Sequence, residues 1–515
     1  MRKIIALTLI LTMIFVCLAF ISCGNEKKND VGAGGENNNN DNKSENDSLA
    51  DSENDPAEAA EDVKIFPDIP DANYGGHQFN ILLSINGEFS NATGGMWDDF
   101  TAEEETGDTI NDAIYKRNVY VEDKYNIKIN VIEAPAADGM ERSAAQKMLK
   151  NSVQANDNAY DAALLSGYGT CQLASGGFLM DMNNMPPLDL TKPWWDQKAN
   201  RDLMIKDKMF YTAGDISNVT NYATYAMLFN KQLVQEYGLE DPYALVRNGE
   251  WTYTKMIEMA SQISGDLNGD GIYDFEDLYG ALVWDDTMMG IVNSIGEKCA
   301  VVNQNGEIVL SLNNERVLKV FNLYTDYVYD KTKALTYQRQ DWDGSKSTNM
   351  FSNNQALFWI QIMELVIRMR AQEVNFGVLP YPKLDSVQEN YYSTVGSWHS
   401  GFVCVPIGQE DASRTGAVLE ALAAESKYTL RPAFYDISLK GKMVRDEESE
   451  EMLDLIFDSK IYDLGWLYQI GGYNERIMDQ LRQFKNDFIS MYEKSLNKAE
   501  KDMDKINTAF GEILN

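Results

Sequence analysis

Histidine is almost missing from this chain: His77 and His399 are the only two in 515 residues. Such scarcity argues against a histidine-based catalytic centre and against a zinc site. Cysteine is nearly as scarce, with five in all. Cys17 and Cys23 sit in the N-terminal leader, leaving Cys171, Cys299 and Cys404, no two of them at metal-ligand spacing. An odd set cannot pair completely, so either all three are small buried residues or two form a long-range disulfide. Positive charge is also short: 45 Lys and Arg against 79 Asp and Glu leave a formal net charge of -34. A chain this acidic repels nucleic acid and anionic headgroups, which excludes both as partners. It has no nucleophile elbow, zinc motif, phosphate loop, dinucleotide fingerprint, heptad array or tandem repeat. Paired acids of the glycosidase kind carry no weight here, because 79 acids place Asp beside Asp by chance. An enzyme is therefore not expected. What remains is a 44% hydrophobic chain, long enough for two or more lobes with their own cores.

The N-terminus indicates where the rest works. Arg2 and Lys3 precede an uncharged apolar run over residues 4–20, too short and too soon followed by polar residues to span a bilayer. It ends Phe20-Ile21-Ser22-Cys23-Gly24, which resembles a bacterial lipobox with Phe20 in place of the usual leucine. The resemblance implies a signal peptide over 1–22 and a lipid on Cys23; the competing reading is an ordinary secretory signal with an incidental cysteine. Residues 23–63 are acidic, Asn-rich and nearly free of large apolar side chains, so a disordered tether is expected.

Beyond the tether, Phe79-Asn80-Ile81-Leu82-Leu83 reads as a buried strand. Asp108 is a candidate N-cap for a helix carrying Ile110, Ala113, Ile114, Arg117 and Val121. Ile127, Ile129 and Val131 alternate as a strand, a helix is expected over 144–153, and a third strand over 160–165. That alternation predicts a parallel sheet with crossover helices, whose ligands sit beyond the carboxyl ends of the strands. Ser166-Gly167-Tyr168-Gly169 is accordingly a candidate binding loop. Ala213-Gly214-Asp215-Ile216-Ser217 separates two further strands. Near the C-terminus Ile477, Leu481, Phe484, Phe488, Leu496, Ala499, Met503, Ile506, Phe510 and Ile513 recur at helical spacing, the mark of a packing face.

The sharpest chemical motif is the loop over residues 266–277. Asp266, Asn268, Asp270, Asp274 and Asp277 stand at positions one, three, five, nine and twelve of a calcium-loop pattern, with Gly271 at six. Ile272 at seven would lend its carbonyl, and its apolar side chain would pin the loop. Asp277 replaces the usual glutamate. A structural Ca2+ is expected; the alternative is an acidic turn.

Several of the nine tryptophans lie in places that do not read as core: Trp97, Trp194 with Trp195, and Trp284 beside acids, and Trp398 between Ser397 and His399. Flat aromatic faces stack on the C–H faces of sugar rings while carboxylates and amides bond the hydroxyls. Each ring alone is better explained by packing, but at least two are expected to line a cleft.

Taken together, Tyr160-Asp161-Ala162-Ala163-Leu164-Leu165, Tyr225-Ala226-Met227-Leu228-Phe229-Asn230-Lys231, Phe351-Ser352-Asn353-Asn354-Gln355-Ala356-Leu357-Phe358 and Phe376-Gly377-Val378-Leu379-Pro380-Tyr381-Pro382-Lys383 form a recognisable order. Phe434-Tyr435-Asp436 and Arg445-Asp446 complete it. The chain resembles the extracellular solute-binding proteins of carbohydrate ABC importers, the family that includes maltodextrin-binding protein. The resemblance implies an α/β, two-lobed periplasmic-binding-protein-like fold of type II. Each lobe would be a mainly parallel sheet flanked by helices, with the ligand cleft between them. By that analogy lobe 1 takes 64–225 plus 396–455 and lobe 2 takes 226–395 plus 456–515, with crossings near 222–228 and 398–406. The implied function is capture of a sugar or oligosaccharide for an ABC permease by a monomeric, lipid-anchored receptor on the outer face of a bacterial membrane. A receptor for a peptide or other non-sugar, or a lipid-anchored glycan-processing enzyme, are the alternatives. The expected contacts are Trp97, Tyr168, Trp194, Trp195, Asp215, Trp284 and Trp398.

Overall fold

In the computed structural model, residues 64–84, 98–135, 142–337, 340–341, 344–435 and 447–513 are described. The leader, Cys23, the tether, Trp97, Asp436, Arg445 and Asp446 lie outside them. Strand β1 (His77–Leu83) leads to helix α1 (Thr109–Tyr125), capped as its sequence requires: the Asp108 carboxylate accepts from Ile110 N at 3.1 Å and Asn111 N at 2.9 Å. Asn126, in the left-handed region at φ 49°, ends the helix and turns the chain into β2 (Ile127–Glu133). Helix α2 (Arg142–Ala155) and strand β3 (Ala162–Ser166) follow, then α3 (Gly167–Ser175) and the short β4 (Tyr211–Thr212).

The chain then passes to a second lobe through the small helix α4 (Val219–Tyr222). There it forms β5 (Tyr225–Asn230), β6 (Ser264–Gly265), β7 (Leu278–Val283), helix α5 (Thr287–Ser294), β8 (Ala300–Val302) and β9 (Ile308–Leu310). Next come β10 (Ala334–Thr336), β11 (Ala356–Ile362), β12 (Phe376–Leu379) and β13 (Ser393–Thr394). Strand β14 (Gly401–Cys404) returns to the first lobe with helices α6 (Ala412–Ser426) and α7 (Leu430–Tyr435). The chain ends with α8 (Glu447–Asp458), β15 (Lys460–Ile461), α9 (Tyr473–Arg482) and α10 (Phe488–Ile513).

The first sheet has the order β2-β1-β3-β14-β4 and the second β10-β7-β11-β5-β12. Strands β1, β2 and β3 are parallel, as are β7, β10 and β11; β14 runs reversed in the first sheet and β5 in the second, where the two-residue β6 also pairs antiparallel with β7. Both sheets are mainly parallel, as expected, and the reversed β14 and β5 have a topological reason. β5 and β14 are the strands that arrive from the other lobe. They enter at the carboxyl edge, where Tyr225 pairs with Ile362 and Gly401 with Ser166, and so must run backwards. The crossings are correspondingly tighter than expected: residues 225–228 already belong to the second sheet and 401–404 to the first. Both faces of β5 are covered, Tyr225, Met227 and Phe229 in one core and Ala226 and Leu228 in another.

Two further differences concern the C-terminal third. Helix α8, expected in part with lobe 1, packs on the second lobe, where Leu453, Ile456 and Phe457 share a core with Leu228 and Val378. The long apolar stripe is broken between α9 and α10. Phe484 stands there at φ 51° and is 37% exposed, while Ile477, Leu481, Phe488, Ala499, Ile506 and Phe510 are buried as a packing face should be. Cys171, Cys299 and Cys404 are buried free thiols, so the disulfide does not form. Among the described residues no helix is long and apolar enough to cross a membrane.

Candidate functional site

The carboxyl edges of the two sheets face the segments that join the lobes. Those segments run side by side: Thr224 pairs with Val395, and Gly396 N donates to Ala223 O at 2.8 Å. Glycine is required at this approach, because a Cβ on Gly396 would sit 2.9 Å from the Tyr225 ring. Gly167, opening α3, is equally confined: its N–H donates to Ser400 O at 2.9 Å, and a Cβ would meet Ser400 Oγ at 2.7 Å. Upstream, fully buried Arg117 of α1 holds the first crossing by donating to Ile216 O at 3.1 Å. Beside it the Asp99 carboxylate accepts from Asn218 N and Ser217 Oγ; burial pushes this acid up to about 6 despite those bonds.

On this frame a ring of side chains closes between the lobes. Tyr168, immediately after β3, shares a hydrogen bond with Ser397 Oγ at 3.2 Å and meets Trp398 edge-on with ring centroids 5.9 Å apart. His399 lies 6.2 Å from the Tyr225 ring, and Tyr225 OH donates to Asp286 Oδ2 at 3.2 Å. Asp285, next to it, takes Arg482 Nε through Oδ2. Helix α9 then closes the circuit, because Asn474 near its start donates to Tyr168 OH at 3.5 Å. Asn474 and Arg482 lie eight positions apart on that helix, about 12 Å at 1.5 Å per residue. Trp284 stands at the rim, after β7, edge-on to Tyr337 with centroids 5.4 Å apart.

The charges in the ring are arranged unequally. Arg482 also pairs with Glu475 at 3.0 Å and Asp479 at 3.3 Å, so its charge is shared among three carboxylates. Asp286 is the acid that gains a proton most readily: burial, then the charge of Asp285, push it up to about 7. Asp285 is also raised by burial, opposed by Arg482. The site therefore offers aromatic faces, hydroxyls, an amide, a guanidinium and two carboxyl groups whose burial favours their neutral forms.

Of the expected contacts, Tyr168, Trp284 and Trp398 belong to this region. Trp194, Trp195 and Asp215 do not; they gather elsewhere. Both indole N–H groups donate to one buried carboxylate, Trp194 to Glu420 Oε1 at 3.1 Å and Trp195 to Oε2 at 2.9 Å, and both rings are fully packed. Burial pushes Glu420 up to about 7 against these bonds. Asp215 N donates to Trp194 O at 2.8 Å, and its carboxylate, raised to about 6 by burial, lies 3.7 Å from Arg431. These residues wall a 260 Å³ cavity completed by Asn221 of α4, Phe457 and Lys460. Sequence reasoning missed Tyr225, Asp285, Asp286, Ser397, His399, Asn474 and Arg482 as ring members. The only local signal was the acidic pair beside Trp284.

The loop over 266–277 folds into a chain of side chain-to-backbone turns. Asp266 accepts from Gly269 N at 2.7 Å and Gly271 N at 2.8 Å, Asn268 from Asp270 N at 3.0 Å, and Asp270 from Ile272 N at 2.7 Å. Asp274 accepts from Glu276 N at 2.9 Å; buried Asp277 accepts from Leu267 N and Asp274 N, both at 2.9 Å. Ile272 is 62% exposed and pins nothing, so Asp277 is the anchor in its place. An all-oxygen set suits a hard cation. Among the described residues, however, no group of three or more His, Cys, Asp or Glu gathers as a metal site.

No curated protein sequence matches the chain. Solved structures do. A cyclo/maltodextrin-binding protein complexed with maltotetraose superposes with a TM-score of 0.53 at 14% identity, over 84% of this chain and 97% of that one. The cyclic α-maltosyl-1,6-maltose binding protein of Arthrobacter globiformis gives 0.51 at 13%, over 85% and 99%. The GacH receptor of Streptomyces glaucescens, solved unliganded and with acarbose, gives 0.50 at 13%, over 85% and 98%. At these identities the likeness establishes the two-lobed fold. The family match is in the sequence itself and spans residues 101–398, from just before α1 to Trp398 in the cleft. With more than half its length so matched, the chain belongs to the bacterial extracellular solute-binding proteins.

Proposed function

We propose that this protein captures a sugar or oligosaccharide between its lobes and delivers it, unaltered, to an ABC transporter permease. The observation that supports this most is the edge-on pairing of Tyr168 with Trp398, a residue 37% exposed where the two lobes join. An exposed indole face suits the C–H face of a pyranose, while Asn474, Asp286 and Ser397 suit its hydroxyls. The structural relatives named above include proteins complexed with maltotetraose and with acarbose, which agrees with this reading. Ligand touching both lobes stabilises the closed form by its extra contacts there, and closure is the state a permease reads. Catalysis is not part of the proposal, since Asp285 and Asp286 are engaged by Arg482 and Tyr225. A thermal-shift screen against neutral mono- and oligosaccharides tests it: binding to the folded state alone raises the melting temperature. A peptide library that shifts the transition while every sugar leaves it unmoved would refute the sugar reading.

The proposal extends to the ends of the chain and the acidic loop. A lipid on Cys23 would hold the monomeric body off the outer face of the membrane by the tether 23–63. Cys23→Ala should then release folded protein into the medium, and retention through a high-salt wash would exclude the anchor. A structural Ca2+ would be held by Asp266, Asn268, Asp270, Asp274, Asp277 and the Ile272 carbonyl. A chelator should lower the melting temperature and Asp270→Ala should remove that sensitivity. An unmoved transition, with no metal on elemental analysis, leaves only an acidic turn.

A further inference from the structure

Beside the ring, at the carboxyl ends of β7 and β10, lies a cavity of about 250 Å³. Val283, Leu335 and Thr336 form its floor, Tyr273 and Tyr337 its aromatic side, and Lys331 with Phe484 its outer rim. Asp285 lines it too. This side chain is 2% exposed; Oδ2 is taken by Arg482, but Oδ1 has no hydrogen-bond partner. A buried carboxylate oxygen left without a donor is uncommon, and it marks a place where a ligand donor fits.

The cavity's size and chemistry limit what that donor belongs to. At 250 Å³ it is smaller than the roughly 300–1,000 Å³ of pockets that enclose whole drug-sized ligands, and it suits a single ring. An anionic group is disfavoured by the unpaired oxygen of Asp285. The charge of Arg482 is already shared among Asp285, Glu475 and Asp479, and the other cation of the lining, Lys331, lies over the Phe484 ring with Nζ 4.5 Å from its centroid. A neutral ring bearing hydroxyls satisfies both conditions, with apolar faces for Tyr273 and Phe484 and an O–H for Asp285. Trp284 stands where the cavity meets the ring, because its indole packs on Tyr337.

We propose that this cavity is a second sugar subsite, taking one terminal neutral ring of an oligosaccharide whose next unit lies against Trp284. The protein then selects oligosaccharides over free monosaccharides. This rests on the sugar-binding reading above.

The test is calorimetric titration of the full chain with neutral oligosaccharides of one to five units, in the linkage best in the thermal screen. Affinity should rise at least about tenfold on adding the unit that reaches the cavity. Thr336→Phe, which fills the cavity from its floor, should erase that increment and leave monosaccharide affinity unchanged. If Thr336→Phe does not fold, Phe484→Ala on the exposed rim should reduce the same increment. Affinity independent of length, or a loss equal at every length in the variants, overturns the subsite while sugar binding stands. Failure of every sugar to bind overturns the receptor reading instead.

Discussion

Two regions of this molecule set tryptophan beside acid, and they use the pair in opposite ways. Around Trp398 the ring is partly open, its neighbours Tyr168, His399 and Tyr225 come from different segments, and the nearby acids are engaged by Arg482 and Tyr225. Around Trp194 and Trp195 both rings are closed in, and their only polar atoms are spent on Glu420 of α6. The second arrangement is a strut, binding the 193–196 turn and the start of the first crossing to lobe 1. The contrast teaches that an indole closed in on all sides marks structure. An indole left partly open among polar groups from several segments marks a place for something else.

The sharpest way to break that contrast is to exchange the roles. Trp195→Ala should cost about 3–5 kcal/mol of stability in denaturant titration, the scale for truncating a buried aromatic, while folded variant keeps its sugar affinity. A sugar-binding defect without a stability loss would merge the two regions. Glu420→Gln should cost about 1–3 kcal/mol by the same measurement, because an amide offers one acceptor oxygen where two indoles and Asp189 N need two. Trp398→Ala should do the reverse, weakening sugar binding by about 1–3 kcal/mol in calorimetry while moving the melting temperature little. A binding constant unchanged there would remove Trp398 from the site. The smallest effect concerns pH. Asp286 and Glu420 each hold a proton to about 7 in the folded state, above their values of 3.8 and 4.5 in the unfolded chain. Their stabilising contribution is therefore complete below about 4 and is lost as pH rises through about 7. Bound sugar should alter the share removed by Asp286→Asn and leave the share removed by Glu420→Gln as it was. Melting curves from pH 4 to 8, with and without sugar, check this.

How much of this was legible beforehand depends on whether the cause is local. Asp108, Asn126 and the alternation through Ile127 are local, and helix α1 and strand β2 sit where those residues place them. Tyr168 was legible as well, because whatever follows a buried strand in a parallel sheet faces the carboxyl edge, although the expected loop is the first turn of α3. The fate of Trp194 and Trp195 was not, since it is decided by Glu420, more than two hundred residues away. Asn474 and Arg482 were hidden for a different reason. They flank the apolar stripe of α9, and that stripe, correctly read as packing, says nothing about what the polar residues at the two ends of the helix reach. The reversed strands escaped because periodicity carries no direction.

Those two reversed strands also bear on how the chain is made. β14 lies between β3 and β4, so the first sheet stays split until residues 401–404 have been synthesised, after every strand of the second sheet. The second sheet is thus, in order of synthesis, an insertion into the first. A chain emerging N-terminus first must keep β3 and β4 apart, their facing edges unpaired, while a complete second sheet is built between them. Such late long-range pairing slows folding and prolongs exposure of sticky edges. Chains halted before Gly401 should accordingly be protected against protease throughout the second lobe's sheet while β3 remains open to cleavage and aggregation.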